Sequence, residues 1–212
     1  MTDSQAWLAE HACKARILPV VVIDDAADAV PLARTLYAAG LPMIEVTLRT
    51  PAALPAIAAI RSALPDMIVG AGTVTGTGEA DAARAASAQF AVSPGYSSAL
   101  GQHCRAQGLA LLPGVATATE VMLARADGFD FLKLFPAAAC GGIALLEALH
   151  GPFPEVRFCP TGGIDATNAA AWLARPNVLC IGGSWVAPRA SIRDHDWDGI
   201  TSLALDARSR IA

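Results

Sequence analysis

Phe131-Leu132-Lys133-Leu134-Phe135-Pro136 sets four large apolar residues around one ammonium group and closes on proline. The run reads as a strand. Alternation puts Phe131, Lys133 and Phe135 on one face and Leu132 and Leu134 on the other. Apart from the amine, both faces are apolar. A strand of this kind is covered on both sides, as in parallel sheets whose crossover helices pack against them.

Working outward, runs of the same character recur at regular intervals. They span residues 17–23, 43–47, 67–71, 90–93, 109–112, 131–135, 156–159 and 178–181. Helical patterns fill the gaps at 26–38, 52–63, 79–86, 98–106, 119–125, 142–149 and 166–173. A further helix is expected before the first strand, at 5–14, and another after the last, at 198–210. This alternation is that of an α/β protein. Eight strand–helix units in a chain of 212 residues suit a (β/α)₈ TIM barrel with an extra N-terminal helix. A doubly wound open sheet is the competing arrangement. No linker, low-complexity stretch or charge run divides the chain, so a single domain over residues 1–212 is expected.

Composition narrows the function. Apolar residues make up 54% of the chain and charged residues 16%, a core-rich balance consistent with self-association. The net charge of −4 is spread without blocks, which argues against nucleic acid as a partner. The opening MTDSQAWLAEH carries two acids and no apolar run, so no signal peptide and no membrane span are expected. The five cysteines are an odd number with no CxxC pair, and they read as free thiols in a reducing compartment, the cytoplasm. Cys159 and Cys180 lie in strand runs and are expected in the core.

Polar or glycine-rich residues mark the strand ends: EVTLRT (45–50), VGAGTV (69–74), VSPG (92–95), LLPG (111–114), KLFPA (133–137), CPTGGI (159–164) and IGGS (181–184). In a barrel these converge on the rim where chemistry is done. Gly162 and Gly163 follow the seventh strand, and Gly182, Gly183 and Ser184 follow the eighth. Paired glycines let backbone N–H groups close around an anion, and these are the phosphate positions of the fold. They could also simply make tight turns. Neither a GxGxxG fingerprint nor a Walker sequence occurs.

Lys133 is the sharpest candidate. The chain has only two lysines, Lys14 and Lys133, and uses arginine elsewhere. An amine in a low-dielectric site can give up its proton and attack a carbonyl, which a guanidinium cannot. The alternatives are a lysine snorkelling to water or one paired with Glu45. Glu45, between Ile44 and Val46, is expected to point into the barrel or its mouth as a general acid or base, or else to pair with Arg49. Arg49 offers a fork for a carboxylate. Thr73 and Thr161 are strand-end hydroxyls that either orient a ligand or cap a helix. Phe135 and Pro94 could line an apolar side of the pocket, while the tryptophans, Met43 and Phe90 read as packing. None of the four histidines falls on a strand end, and no HxH or HExxH metal pattern occurs.

EVTLRT, VGAGTV, FAVSPG (90–95), KLFPA, RFCPTGG (157–163) and CIGGSW (180–185) stand in an order that resembles the bacterial 2-keto-3-deoxy-6-phosphogluconate (KDPG) and 4-hydroxy-2-oxoglutarate (KHG) class I aldolases. The resemblance covers nearly the whole chain. It implies a homotrimer of (β/α)₈ barrels that cleaves KDPG into pyruvate and glyceraldehyde 3-phosphate with no metal or cofactor. It implies Lys133 as the Schiff-base residue and Glu45 as the proton carrier. Arg49, Thr73, Pro94 and Phe135 would bind the pyruvate part. Thr161, Gly162, Gly163, Gly182, Gly183 and Ser184 would hold the rest of the substrate and its phosphate. KHG or the 6-phosphogalactonate epimer as preferred substrate, a non-catalytic phosphate-binding barrel, and a metal-dependent lyase are the alternatives. The tail ASIRDHDWDGITSLA is the part least like the family.

Overall fold

The computed structural model describes residues 3–211. Helix α1 (Asp3–Ala15) precedes β1 (Ile17–Val21); a short 3₁₀ turn (Ala26–Asp28) then leads into α2 (Ala29–Ala38). Next come β2 (Met43–Thr47), α3 (Ala53–Ala63), β3 (Ile68–Gly72), α4 (Thr77–Ala85), β4 (Phe90–Val92) and α5 (Ser98–Ala106). They are followed by β5 (Ala110–Leu112), β6 (Gly114–Val115), α6 (Ala118–Ala126), β7 (Phe131–Leu134), α7 (Gly142–His150) and β8 (Arg157–Pro160). The chain ends with α8 (Ala169–Leu173), β9 (Ile181–Gly183), α9 (Arg189–Arg193) and α10 (Trp197–Ser209). Thr117 shows how the helices start: its hydroxyl accepts from Glu120 N at 3.3 Å while Glu120 Oε2 accepts from Thr117 N at 2.9 Å. This reciprocal cap places the start of α6 one residue before the expected 119.

The strand pairs are all parallel. Six strands run in the order β5-β4-β3-β2-β1-β9 and three in the order β6-β7-β8. Only Pro113 separates β5 from β6 along the chain, and Lys133 N donates to Pro113 O at 2.8 Å. On the far side, Phe158 bridges Val178 and Thr161 bridges Gly182, both parallel. The result is a curled, TIM-barrel-like parallel sheet wrapped by helices.

Two apolar layers follow from the strand alternation. Leu132 and Leu134 face outward into a core with Ile44, Val46, Val69, Ala71 and the inner faces of the helices. Phe131 faces inward with Leu18, Met43, Phe90, Val92, Leu112, Cys159 and Cys180. All five residues of β2 are buried, Glu45 and Thr47 included, which is why the runs read as nearly continuously apolar. Helix α1 closes the inner layer at one end through Leu8 and Ala12. Its buried Gln5 donates Nε2 to Leu111 O and accepts from Phe131 N at 3.4 Å. The opposite, C-terminal end of the strands stays open.

Some boundaries differ from expectation. The last strand lies at Ile181–Gly183 rather than 178–181, because Gly182 and Gly183 continue the ladder beside Leu18 and Pro19. Helix α8 occupies only the second half of the expected 166–173. Asp165 and Asn168 fold the first half into a turn: Asp165 Oδ1 accepts from Thr167 N at 2.8 Å and Asn168 Oδ1 accepts from Asp165 N at 3.1 Å. Helix α9 was not expected at all. Among the described residues no helix is long and apolar enough to cross a membrane.

Candidate active site

Lys133 stands on β7 and Glu45 on β2, and the curl brings them face to face. Lys133 Nζ lies 3.4 Å from Glu45 Oε1, with side chains 7% and 2% exposed. Glu45 therefore pairs with Lys133 and not with Arg49. The amine also sits 5.2 Å from the centroid of the Phe135 ring. Room for the carboxylate comes from β3. A Cβ on Gly72 would lie 2.7 Å from Glu45 Cγ and 2.8 Å from Cδ, so the strand passes this point only because Gly72 has no side chain.

Above the pair opens a cavity of about 490 Å³. Lys133, Phe135, Arg49 and Thr161 line one part of it. Gly162, Gly163, Gly182, Gly183 and Ser184 line another. Gly162 and Gly163 have φ of 99° and 78°, a left-handed backbone that glycine adopts without strain. A Cβ on Gly182 would crowd the buried Thr161, 3.1 Å from its Cγ2. Gly162 and Gly163 thus turn the chain, and Gly182 and Gly183, which continue β9, leave room for the side chains beside them.

Arg49 is exposed at the rim, and its Nε donates to Thr73 Oγ1 at 3.1 Å. Thr73 has φ of 62°, a strained setting for a β-branched residue. Three expected site residues do not line this cavity: Glu45 lies beneath it against Lys133, Thr73 reaches it only through Arg49, and Pro94 stands apart. It borders a neighbouring hollow of about 230 Å³ with Thr75, Tyr96 and Leu100. Its backbone nonetheless packs against Gly114, which pairs with Lys133 on the adjacent strand.

Several cavity residues escaped the sequence reading. Val20, Val22 and Ile164 supply apolar wall, and Pro188 and Arg189 stand at the mouth. Trp185, expected only to pack, also lines the cavity, and its ring covers Gly183. Its buried Nε1 makes no hydrogen bond among the described residues. The SW pair after IGG was the one available sign of a ring here. A second cavity of about 500 Å³ lies by α1, lined by residues including Ser4, Trp7, Arg84, Gln89 and Gln107, without lysine, carboxylate, cysteine or histidine. Of the cavities described, the one at Lys133 brings a buried amine, itself paired with a carboxylate, beside two glycine pairs.

A family model described as KDPG and KHG aldolase matches residues 8–203. The 2-dehydro-3-deoxy-phosphogluconate aldolase of Pseudoalteromonas atlantica is 48% identical over 191 residues, 90% of this chain and 89% of its own. The crystal structure of the Legionella pneumophila KDPG aldolase, with pyruvate captured at low pH as a covalent carbinolamine intermediate, superposes with a TM-score of 0.92 at 43% identity, covering 97% of this chain and 98% of that one. The KDPG aldolase of Zymomonas mobilis with 3-phosphoglycerate superposes at 0.88 with 47% identity, covering 94% of each chain. With the order of motifs, the fold and nearly the full length all in agreement, the chain belongs to the KDPG and KHG aldolase family.

Proposed function

We infer that the protein is a class I aldolase that reversibly cleaves KDPG into pyruvate and glyceraldehyde 3-phosphate through a Schiff base on Lys133. The observation that carries this reading is the buried amine of Lys133, 3.4 Å from the buried Glu45 carboxylate, on the floor of a cavity whose upper wall is a glycine cradle. Neutral Lys133 attacks the carbon 2 ketone of the substrate. The carbinolamine loses water and leaves a protonated imine. Deprotonation of the carbon 4 hydroxyl then breaks the bond between carbons 3 and 4, and its electron pair enters the imine. Glyceraldehyde 3-phosphate departs. The remaining enamine takes a proton at carbon 3, and water hydrolyses the imine to pyruvate and free Lys133. The iminium is itself the electron sink, so the scheme needs no metal.

Glu45 is the proton carrier, since it is the carboxylate within hydrogen-bonding range of the amine. Arg49, held by Thr73, takes the substrate carboxylate and fixes carbon 2 beside the nucleophile. Phe135 and Pro94 flank the pyruvate part, and Thr161 stands between the two ends. Gly162, Gly163, Gly182, Gly183 and Ser184 take the phosphate, where remote binding energy orients the scissile bond. The whole chain, residues 1–212, forms one domain, an eight-stranded (β/α)₈ barrel with α1 as an added helix. The parallel bridges at Phe158 and Thr161 and the shared β5–β6 segment support closure. The family resemblance supports a cytoplasmic homotrimer, and Met122 and Leu123, 62% and 54% exposed side by side, suit a subunit contact.

The test is pyruvate release from KDPG, 6-phosphogalactonate-derived epimer and KHG, compared by kcat/KM. KDPG is expected to lead. A lead by KHG would overturn the substrate assignment, and release from none of the three would overturn the reading.

A further inference from the structure

The cavity mouth carries a cation that this scheme does not use, one residue before the tail that least resembles the family. Arg189 follows Pro188 at the start of α9 and lines the same cavity as Gly163, Gly183 and Ser184. It is anchored from across the rim. Its Nε donates to Asp24 Oδ2 at 2.8 Å and its Nη2 to Asp24 Oδ1 at 2.6 Å. Asp24 lies just beyond β1, the strand paired with β9, so the contact joins two neighbouring rim loops. A second tie, His195 Nε2 to Asp28 Oδ1 at 2.8 Å, joins the same two segments.

The geometry leaves half of the guanidinium unused. A guanidinium has five N–H donors in one rigid plane. Asp24 engages the edge made by Nε and Nη2, which fixes that plane. The edge made by Nη1 and the other Nη2 hydrogen has no hydrogen-bond partner among the described residues. Two parallel donors on one edge match two oxygens of a phosphate. The side chain is 57% exposed, so an anion entering the cavity can reach it. Because the carboxylate already holds the plane, little side-chain freedom remains to be lost on binding.

We propose that Arg189, oriented by Asp24, is a specificity-determining residue that binds the phosphate of the substrate at the cavity mouth beside Ser184 and the glycine pairs. The proposal rests on the aldolase reading and names the residue that completes recognition of the phosphorylated end. Asp24 is a positioning residue that acts through Arg189.

The experiment uses the full-length protein and two substrates, KDPG and its unphosphorylated counterpart 2-keto-3-deoxygluconate. The readout is the ratio of their kcat/KM values. Arg189→Gln is expected to lower this ratio about tenfold, mostly through KM, the effect of one solvent-weakened charge-assisted contact. Arg189→Lys should recover only part, because it restores charge without the fork. Asp24→Asn should lower the ratio by less than Arg189→Gln. A ratio within twofold of wild type in Arg189→Gln, with a lower Tm, would make the pair a structural staple and overturn the proposal. Full recovery by Arg189→Lys would overturn the two-point geometry. Borohydride trapping of pyruvate by wild-type protein separates the levels: if trapping succeeds and the ratio does not move, only the Arg189 proposal falls, and if trapping fails, the aldolase reading falls with it.

Discussion

Gly72 is where a single methyl group should disable the site by displacing the Glu45 carboxylate. A Cβ there would lie 2.7 and 2.8 Å from Cγ and Cδ of Glu45 and closer still to Oε1. Ordinary carbon contacts need about 3.5–4.0 Å, so in Gly72→Ala the carboxylate must retreat by roughly 1 Å. The Glu45 side chain is 2% exposed, so the shift moves it away from the position it holds beside Lys133. Its contact with Lys133, already 3.4 Å, is then lost. A displacement of this size at a catalytic group costs on the order of 100-fold in turnover. Overpacking should also cost about 1–3 kcal/mol of stability. Gly70→Ala is the control, since the atoms nearest its Cβ would be those of the Phe90 ring. Steady-state kcat for KDPG cleavage, measured well below each variant's Tm, separates the two effects. Gly70→Ala should lose stability but turn over normally, and Gly72→Ala should lose turnover. Wild-type kcat in Gly72→Ala would refute the claim that the Glu45 position matters.

The other expectations concern Glu45 itself, acid and thiols. Glu45→Gln keeps the shape but cannot carry a proton, so kcat should fall by about 10²–10⁴-fold, checked in steady state, while imine formation persists. Hydrogen bonds hold three carboxyls below the usual range: Arg189 at Asp24, Ser98 and Tyr96 at Asp127, and Thr167 at Asp165. Depressed carboxyls stabilise the fold above the unfolded aspartate pKa of about 3.9 and lose that contribution as pH falls through their folded values. Tm should therefore hold from about pH 7 to 5 and drop toward pH 3; a Tm indifferent to acid would contradict these contacts. Burial pushes the Cys104 thiol up to about 11, and Cys159 and Cys180 are buried in the inner apolar layer. Thiol reagents at neutral pH should label exposed Cys13 quickly and these three only after unfolding.

Much of the fold was legible because each strand is buried on both faces. Apolar runs such as Ala110–Leu112 leave few other readings, and FLKLFP divides into an outward pair, Leu132 and Leu134, and an inward set. Cys159 and Cys180 could be assigned to the core on the same grounds. The pairing of Lys133 with Glu45 was open, because the two lie 88 residues apart and only strand order and curl bring them together. Gly72 gave no local hint of its purpose, since its missing side chain matters only to a residue on the next strand. Thr73 looked like a plain strand-end hydroxyl, and its left-handed backbone depends on the loop around it. Helix α9 is only five residues long, too short for a periodic pattern to announce it. Arg189 read as one more surface arginine because Asp24, its anchor, is 165 positions away.

The central claim is that Lys133 forms a covalent imine with the ketone of the substrate. Wild-type protein incubated with pyruvate and borohydride, then digested and mapped by mass spectrometry, tests it directly. A stable pyruvate-derived adduct is expected on the peptide containing Lys133, formed in the presence of a chelator and absent from Lys133→Arg. An unmodified Lys133 peptide, or an adduct that maps to Lys14, would contradict it.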